Sequence, residues 1–109
     1  MYIDDCVLGI DKIMHEDSLI ATPINLGSSE LVSINTLLSK VEAIAGTQLN
    51  RHYDLGAPRG VAGRNSDNTF IKQKLNWEPD TTLDHGLAAT YKWINEQYHN
   101  RKQGKRVVE

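Results

Sequence analysis

DDCVLGIDKIMH, residues 4–15, is the stretch whose reading decides the fold. Met1, Tyr2 and Ile3 read as the end of a strand, and Asp4 or Asp5 can then N-cap a helix at once. The helix expected over Asp4 to His15 carries Cys6, Val7, Leu8, Ile10, Ile13 and Met14. These apolar groups spread around most of the helical circumference instead of forming one stripe, which calls for burial on more than one side. A chain of 109 residues has little protein with which to bury such a helix. The sequence therefore predicts that part of the cover is missing in front of Met1.

Working outward, length and composition set the bounds. The chain suffices for one domain and is too short for two. A net charge of −2 gives no electrostatic case for nucleic acid or an anionic membrane as the main partner. No apolar run approaches the roughly 20 residues that cross a bilayer. MYIDDCVLGI lacks the basic and apolar regions of a secretion signal. A single cysteine, Cys6, rules out an internal disulfide framework and points to a reducing, cytoplasmic setting.

Thr22 to Gly27 alternates apolar and polar residues and ends in glycine, the pattern of a strand. Ser33 then N-caps a cleaner helix. Its apolar positions Ile34, Leu37, Leu38, Val41, Ile44 and Ala45 follow the 3.6 period, and Gly46 closes it. QLNRHYDL, residues 48–55, reads as a second strand. The loop GAPRGVAG precedes a helix expected from Ser66 to Leu75, with Phe70, Ile71 and Leu75 inward. Trp77-Glu78-Pro79 breaks that helix. Thr81 with Asp84 resembles a capping box opening a long helix, with Leu83, Leu87, Tyr91, Ile94 and Tyr98 on one face. The end of the chain, residues 104–109, is expected to fray.

Most candidates for chemistry have a plain structural reading. No GxGxxG or GxxxxGK follows a strand, so the chain has no dinucleotide or phosphate loop of its own. Histidines 15, 52, 85 and 99 are scattered, without the spacing of a metal site. Cys6 has no neighbouring His or Lys to lower its pKa and reads as a structural thiol. Tyr98 and Lys102 match YxxxK, but no strand or cofactor loop serves them.

GVAGRNSDNTF, residues 60–70, is different. Arg64 and Arg59 stand in a loop with Gly56, Gly60 and Gly63, where the backbone can approach a ligand closely. A helix follows, with unpaired N–H groups and a partial positive charge. Guanidinium groups match phosphate oxygens bidentately, so a pyrophosphate would fit. The alternative is an ordinary capped loop, since Asn65, Ser66 or Asp67 can cap the helix and Asp67 would repel an anion.

A resemblance bears on that choice. YIDDC, NLGSSELVSI, PRGVAGRNSDN and LNWEPDTTLDHGLAATYKWI occur in the order found in the C-terminal part of extended short-chain dehydrogenase/reductases, the NAD-dependent nucleotide-sugar epimerases and dehydratases. The run GRNSDN is the more specific element and resembles the GDP-mannose 3,5-epimerase branch. The resemblance runs from Tyr2 to about Gln97. It implies that Arg64 contacts the diphosphate of a nucleotide sugar, a GDP-sugar first of all. Arg59, Asn65 and Ser66 complete the implied substrate-binding set. Where that branch reads GVRGRNSDN this chain has Ala62, so one positive side chain is absent.

The fold implied is α+β: a helix-rich C-terminal fragment of a Rossmann-type enzyme. Residues 1–103 would form the substrate-binding lobe and 104–109 a tail. The family's glycine-rich NAD loop, its catalytic Tyr/Lys pair and its acid/base groups lie in the other lobe, so no catalytic or cofactor-binding residue is assigned here. Cys6 does not match the family's catalytic cysteine. The expectation is a chain inactive in isolation, without nucleic-acid or membrane partners, and either homo-oligomeric or lacking its N-terminal lobe. A non-catalytic nucleotide-sugar or protein-interaction module, and one chain of a split two-chain enzyme, stay open beside it.

Overall fold

The computed structural model describes residues 1–58 and 60–105. Among the described residues there are four α-helices: α1 (Ile3–Met14), α2 (Ile34–Ala45), α3 (Thr69–Leu75) and α4 (Leu83–Lys102). A single 3-10 turn over Asp17–Leu19 follows α1. Among the described residues no helix is long and apolar enough to cross a membrane.

α1 starts after Tyr2, which has extended backbone and makes no side-chain cap. The aspartates expected to cap it lie inside its first turn, where acidic groups oppose the positive end of the helix. Asp5 is turned inward, 6% exposed, and its carboxylate accepts the Thr81 N–H at 3.1 Å. One turn on, a Cβ at Gly9 would fall 2.5 Å from Leu26 Cδ1 and 3.0 Å from Trp77. Glycine is required here because α1 rests with its backbone on those two side chains.

α2 follows the expected pattern. Ser33 Oγ accepts the Thr36 N–H at 3.1 Å, and Gly46 closes the helix in the left-handed region at φ 64°. α2 packs on α4, with Lys40 Nζ 2.6 Å from the Asp84 carboxylate. That ion pair occupies the aspartate expected in a capping box. The cap of α4 is Thr82, one residue later than Thr81, and its hydroxyl accepts the His85 N–H at 3.3 Å. The reciprocal bond of a capping box at Thr81 is absent, because its N–H donates to Asp5 and the Asp84 carboxylate faces Lys40.

α3 is shorter than its pattern suggested, beginning at Thr69 and not at Ser66. Ser66 and Asn68 are drawn off to the 27–29 segment, which holds them out of helical geometry. Asn76 ends α3 at φ 45°.

The described residues contain no strand, so the α+β reading is not matched within this chain. Residues 22–27 and 48–55 carry strand-like patterns but have no ladder, because a strand needs an aligned neighbour. The second of them is held by side chains of α2. Leu49 N–H donates to Glu42 Oε1 at 3.2 Å, Arg51 Nη2 to Glu42 Oε2 at 2.6 Å, and Tyr53 Oη to Asn35 Oδ1 at 3.1 Å.

Burial is sparse. Among the described residues the buried apolar side chains are Leu19 and Ile71, at 5% and 0% exposure. Of the face expected on α4, Leu83, Leu87 and Tyr91 are half-buried, whereas Ile94 and Tyr98 are exposed. The accessible surface is 8916 Å2, against about 6,000 Å2 for a compact monomer of this mass. The radius of gyration is 17.8 Å, against about 13 Å for a compact chain of this length. The helices are formed, but the surface a core would remove from water is largely still exposed.

Candidate functional site

The segment before α3 lies along the segment before α2. Ser66 N–H donates to Ser28 O at 2.9 Å, Asn65 Nδ2 to Ser29 O at 3.2 Å, and Asn68 Nδ2 to Gly27 O at 3.0 Å. Gly27 permits this approach: a Cβ there would stand 2.9 Å from Ser66 Cβ. Asn68 is 6% exposed, and its Oδ1 and the buried Ser66 Oγ have no partner among the described residues.

Beside these paired segments is an open cleft of about 570 Å3, whose lining includes Asn25, Ser28, Glu30, Arg64, Asn65 and Ser66. Three of the expected site residues are thus brought together. Arg64 is exposed, and among the described residues its guanidinium has no hydrogen-bond or ion-pair partner. Asn65 and Ser66 contribute differently than a loop reading suggests. The Asn65 amide donor and the Ser66 backbone N–H are already used on the neighbouring segment, so both residues build the wall of the cleft. Arg59 lies outside the described residues.

The expected use of the helix mouth is corrected by the structure. α3 begins five residues after Arg64, and its first N–H, that of Thr69, donates to Asp67 Oδ1 at 2.9 Å. Hydrogen bonding from Thr69 holds the Asp67 carboxyl below its ordinary pKa, so an anion already occupies that end of the helix. Any phosphate held here would rely on Arg64 and not on the α3 dipole.

Glu30 is a lining residue that the sequence did not single out. Its Oε2 accepts the Leu83 N–H at 2.7 Å at the N-terminus of α4, where a carboxylate is favoured. The signal for it lay in Gly27-Ser28-Ser29-Glu30, a glycine followed by polar residues, a stretch quoted above only within NLGSSELVSI.

The remaining candidates fall away from the cleft. Lys102 Nζ sits 4.7 Å from the Tyr98 ring centroid, a cation–π pair on one helix face. His15 and His99 bond to carbonyls of their own helices, Asp11 O at 2.8 Å and Asn95 O at 2.7 Å. Among the described residues no three His, Cys, Asp or Glu side chains gather as metal ligands. The described residues do not fit a dinucleotide either: Gly9, Gly27 and Gly63 approach side chains of this same chain, and among the described residues there is no glycine-rich strand-to-helix turn for a pyrophosphate.

No family model matches the chain. It is 43% identical over 101 residues to GDP-mannose 3,5-epimerase of Arabidopsis thaliana, covering 93% of this chain and 26% of the relative. It is 29% identical over 97 residues to an uncharacterized UDP-glucose epimerase of Bacillus subtilis, covering 89% and 31%. It is 32% identical over 96 residues to UDP-glucuronate 4-epimerase of Thermodesulfobacterium geofontis, covering 87% and 29%. The chain thus spans about a quarter to a third of the length of these relatives. The match to the plant enzyme falls on its C-terminal part.

Proposed function

We propose that this chain, a member of the nucleotide-sugar epimerase family and homologous to the C-terminal quarter of GDP-mannose 3,5-epimerase, supplies the nucleotide-sugar-binding surface of such an enzyme. The observation that carries the reading is Arg64, exposed and without a partner among the described residues on the rim of the 25–30/64–66 cleft. A guanidinium so placed can take two oxygens of a diphosphate in parallel hydrogen bonds. Asn65 and Ser66 hold its loop to Ser29 and Ser28, which limits the entropy lost when Arg64 engages a ligand. Arg59 belongs to the same proposed set. A GDP-sugar is the ligand class proposed first, since the plant relatives are named for GDP-mannose.

The lobe comprises residues 1–103, with 104–109 as a tail. In the parent family NAD supplies transient oxidation of the sugar. No residue of this chain is assigned to that cofactor, so epimerisation by the chain alone is not part of the proposal. The setting proposed is cytoplasmic, with the chain acting as part of an assembly. The second reading is a non-catalytic nucleotide-sugar or interaction module, or one member of a two-chain enzyme. The open surface of 8916 Å2 is what favours it.

Titration calorimetry of the chain with GDP-mannose, UDP-glucose and inorganic pyrophosphate tests the proposal. Binding that is lost in Arg64→Ala, with circular dichroism unchanged, supports it. Equal binding by Arg64→Ala overturns the assignment of the diphosphate to Arg64.

A further inference from the structure

Among the described lining residues of the Arg64 cleft, Glu30 carries the negative charge. Its position is fixed at both ends: its own N–H donates to Ser28 Oγ at 3.1 Å, and its Oε2 accepts the Leu83 N–H at 2.7 Å. No Lys or Arg of the described residues pairs with it. An ionised carboxylate accepts and never donates, and its two oxygens offer about four acceptor sites. One of these is used at Leu83, so Oε1 is open to a ligand. A carboxylate beside a diphosphate site repels the phosphates themselves. It suits the parts of the ligand that present donors. In a nucleotide sugar the diphosphate is flanked on both sides by sugar rings, which carry hydroxyls on neighbouring carbons. Two such hydroxyls can donate to one carboxylate in hydrogen bonds strengthened by its charge.

We propose that Glu30 is the sugar-reading residue of this cleft, accepting the vicinal hydroxyls of a ring that adjoins the diphosphate held by Arg64. The inference rests on the nucleotide-sugar reading and deepens it. Arg64 supplies affinity for any diphosphate, whereas Glu30 selects those that carry a sugar and disfavours the bare anion. The bracing of the cleft supports this division. Glu30 follows directly on Gly27, Ser28 and Ser29, the segment to which Asn65, Ser66 and Asn68 tie the Arg64 loop. The two charges therefore belong to one tied unit, with little left to order when a ligand enters. The Leu83 N–H completes the arrangement, since it holds one carboxylate oxygen and leaves the other free.

Titration calorimetry of the chain and its Glu30→Gln variant tests this, with GDP-mannose, GDP, a GDP lacking both ribose hydroxyls, and inorganic pyrophosphate. The glutamine keeps an oxygen for the Leu83 N–H and loses the charge. Glu30→Gln is expected to weaken GDP-mannose and to leave pyrophosphate equal or tighter. The preference for GDP-mannose over pyrophosphate should thus fall about tenfold, the difference between a charged and a neutral acceptor. A preference that moves less than about threefold overturns the proposal. So does a parallel loss of both ligands, which is what a loosened α4 would give; exchange of the Leu83 amide reads that helix start directly. The source of the hydroxyls is read in the same titrations. If they are the ribose's, GDP outbinds its hydroxyl-free analogue in the unsubstituted chain and not in Glu30→Gln. If they are the hexose's, the two bind alike and Glu30→Gln removes the gain from GDP to GDP-mannose. Arg64→Ala keeps the two readings apart, since it should weaken pyrophosphate and GDP-mannose together. Loss of both in Arg64→Ala with no change of preference in Glu30→Gln overturns this inference alone. A chain that binds none of the four overturns both.

Discussion

Asp5 and Thr81 stand 76 positions apart in the chain, and the Asp5 carboxylate accepts the Thr81 N–H at 3.1 Å. Through that bond α1 is anchored to the segment that launches α4. The carboxylate is 6% exposed, so its removal leaves a backbone donor without water or partner. Asp5→Ala is expected to cost about 1–3 kcal/mol and to speed exchange of the Thr81 amide. Asp5→Asn, which keeps an acceptor, should lose less. Urea denaturation with amide exchange checks both.

Gly9→Ala is expected to destabilise by about 1–3 kcal/mol, as overpacking does. The added methyl would lie 2.5 Å from Leu26 Cδ1 and 3.0 Å from Trp77. Leu26 can swing its tip aside, but the indole is the stiffer neighbour. A changed Trp77 environment should appear in the fluorescence spectrum, read in a Trp93→Phe background. An unchanged midpoint and spectrum would show that α1 does not bear on these residues.

The Glu42–Arg51 pair makes stability depend on pH in a stated direction. The hydrogen bond from Arg51, then that from the Leu49 N–H, holds the Glu42 carboxyl below its ordinary value. A folded-state pKa below the unfolded one means stability that is present above the ordinary glutamate pKa. It is lost as pH falls through that value towards the lowered one. Glu42→Gln should flatten this part of the acid limb and release residues 49–53 from α2, which chemical shifts of Tyr53 would report.

No binding of NAD and no epimerisation of GDP-mannose is expected of the chain alone, because the sequence has no GxGxxG turn to hold a dinucleotide. Micromolar affinity for NAD in calorimetry would refute this. In an enzyme reconstituted with the cofactor-binding part of a relative, Arg64→Ala should weaken nucleotide-sugar binding by about 1.5–3 kcal/mol, the range for a hydrogen bond to a charged group. The melting temperature should hardly move, since Arg64 is exposed.

What the sequence determined by itself is local. Ser33 and Gly46 bracket α2 as a cap and a left-handed stop because those signals act within a turn. The order of the helices and the family kinship were legible for the same reason, in periodicity and short motifs. Arg64 beside a helix-forming segment was legible too, but its relation to that helix was not. Ser66 and Asn68 bond to Ser28 and Gly27, some forty positions earlier. That pairing delays α3 to Thr69 and leaves its mouth to Asp67. Likewise, the Thr81 N–H that a capping box would tie to Asp84 is taken by Asp5, distant in sequence, and Thr82 is the residue that caps α4. The strand patterns at 22–27 and 48–55 met no partner, so they formed no ladder. Tertiary structure decided these points because a backbone donor can be used once, and which acceptor reaches it is set by how distant segments pack.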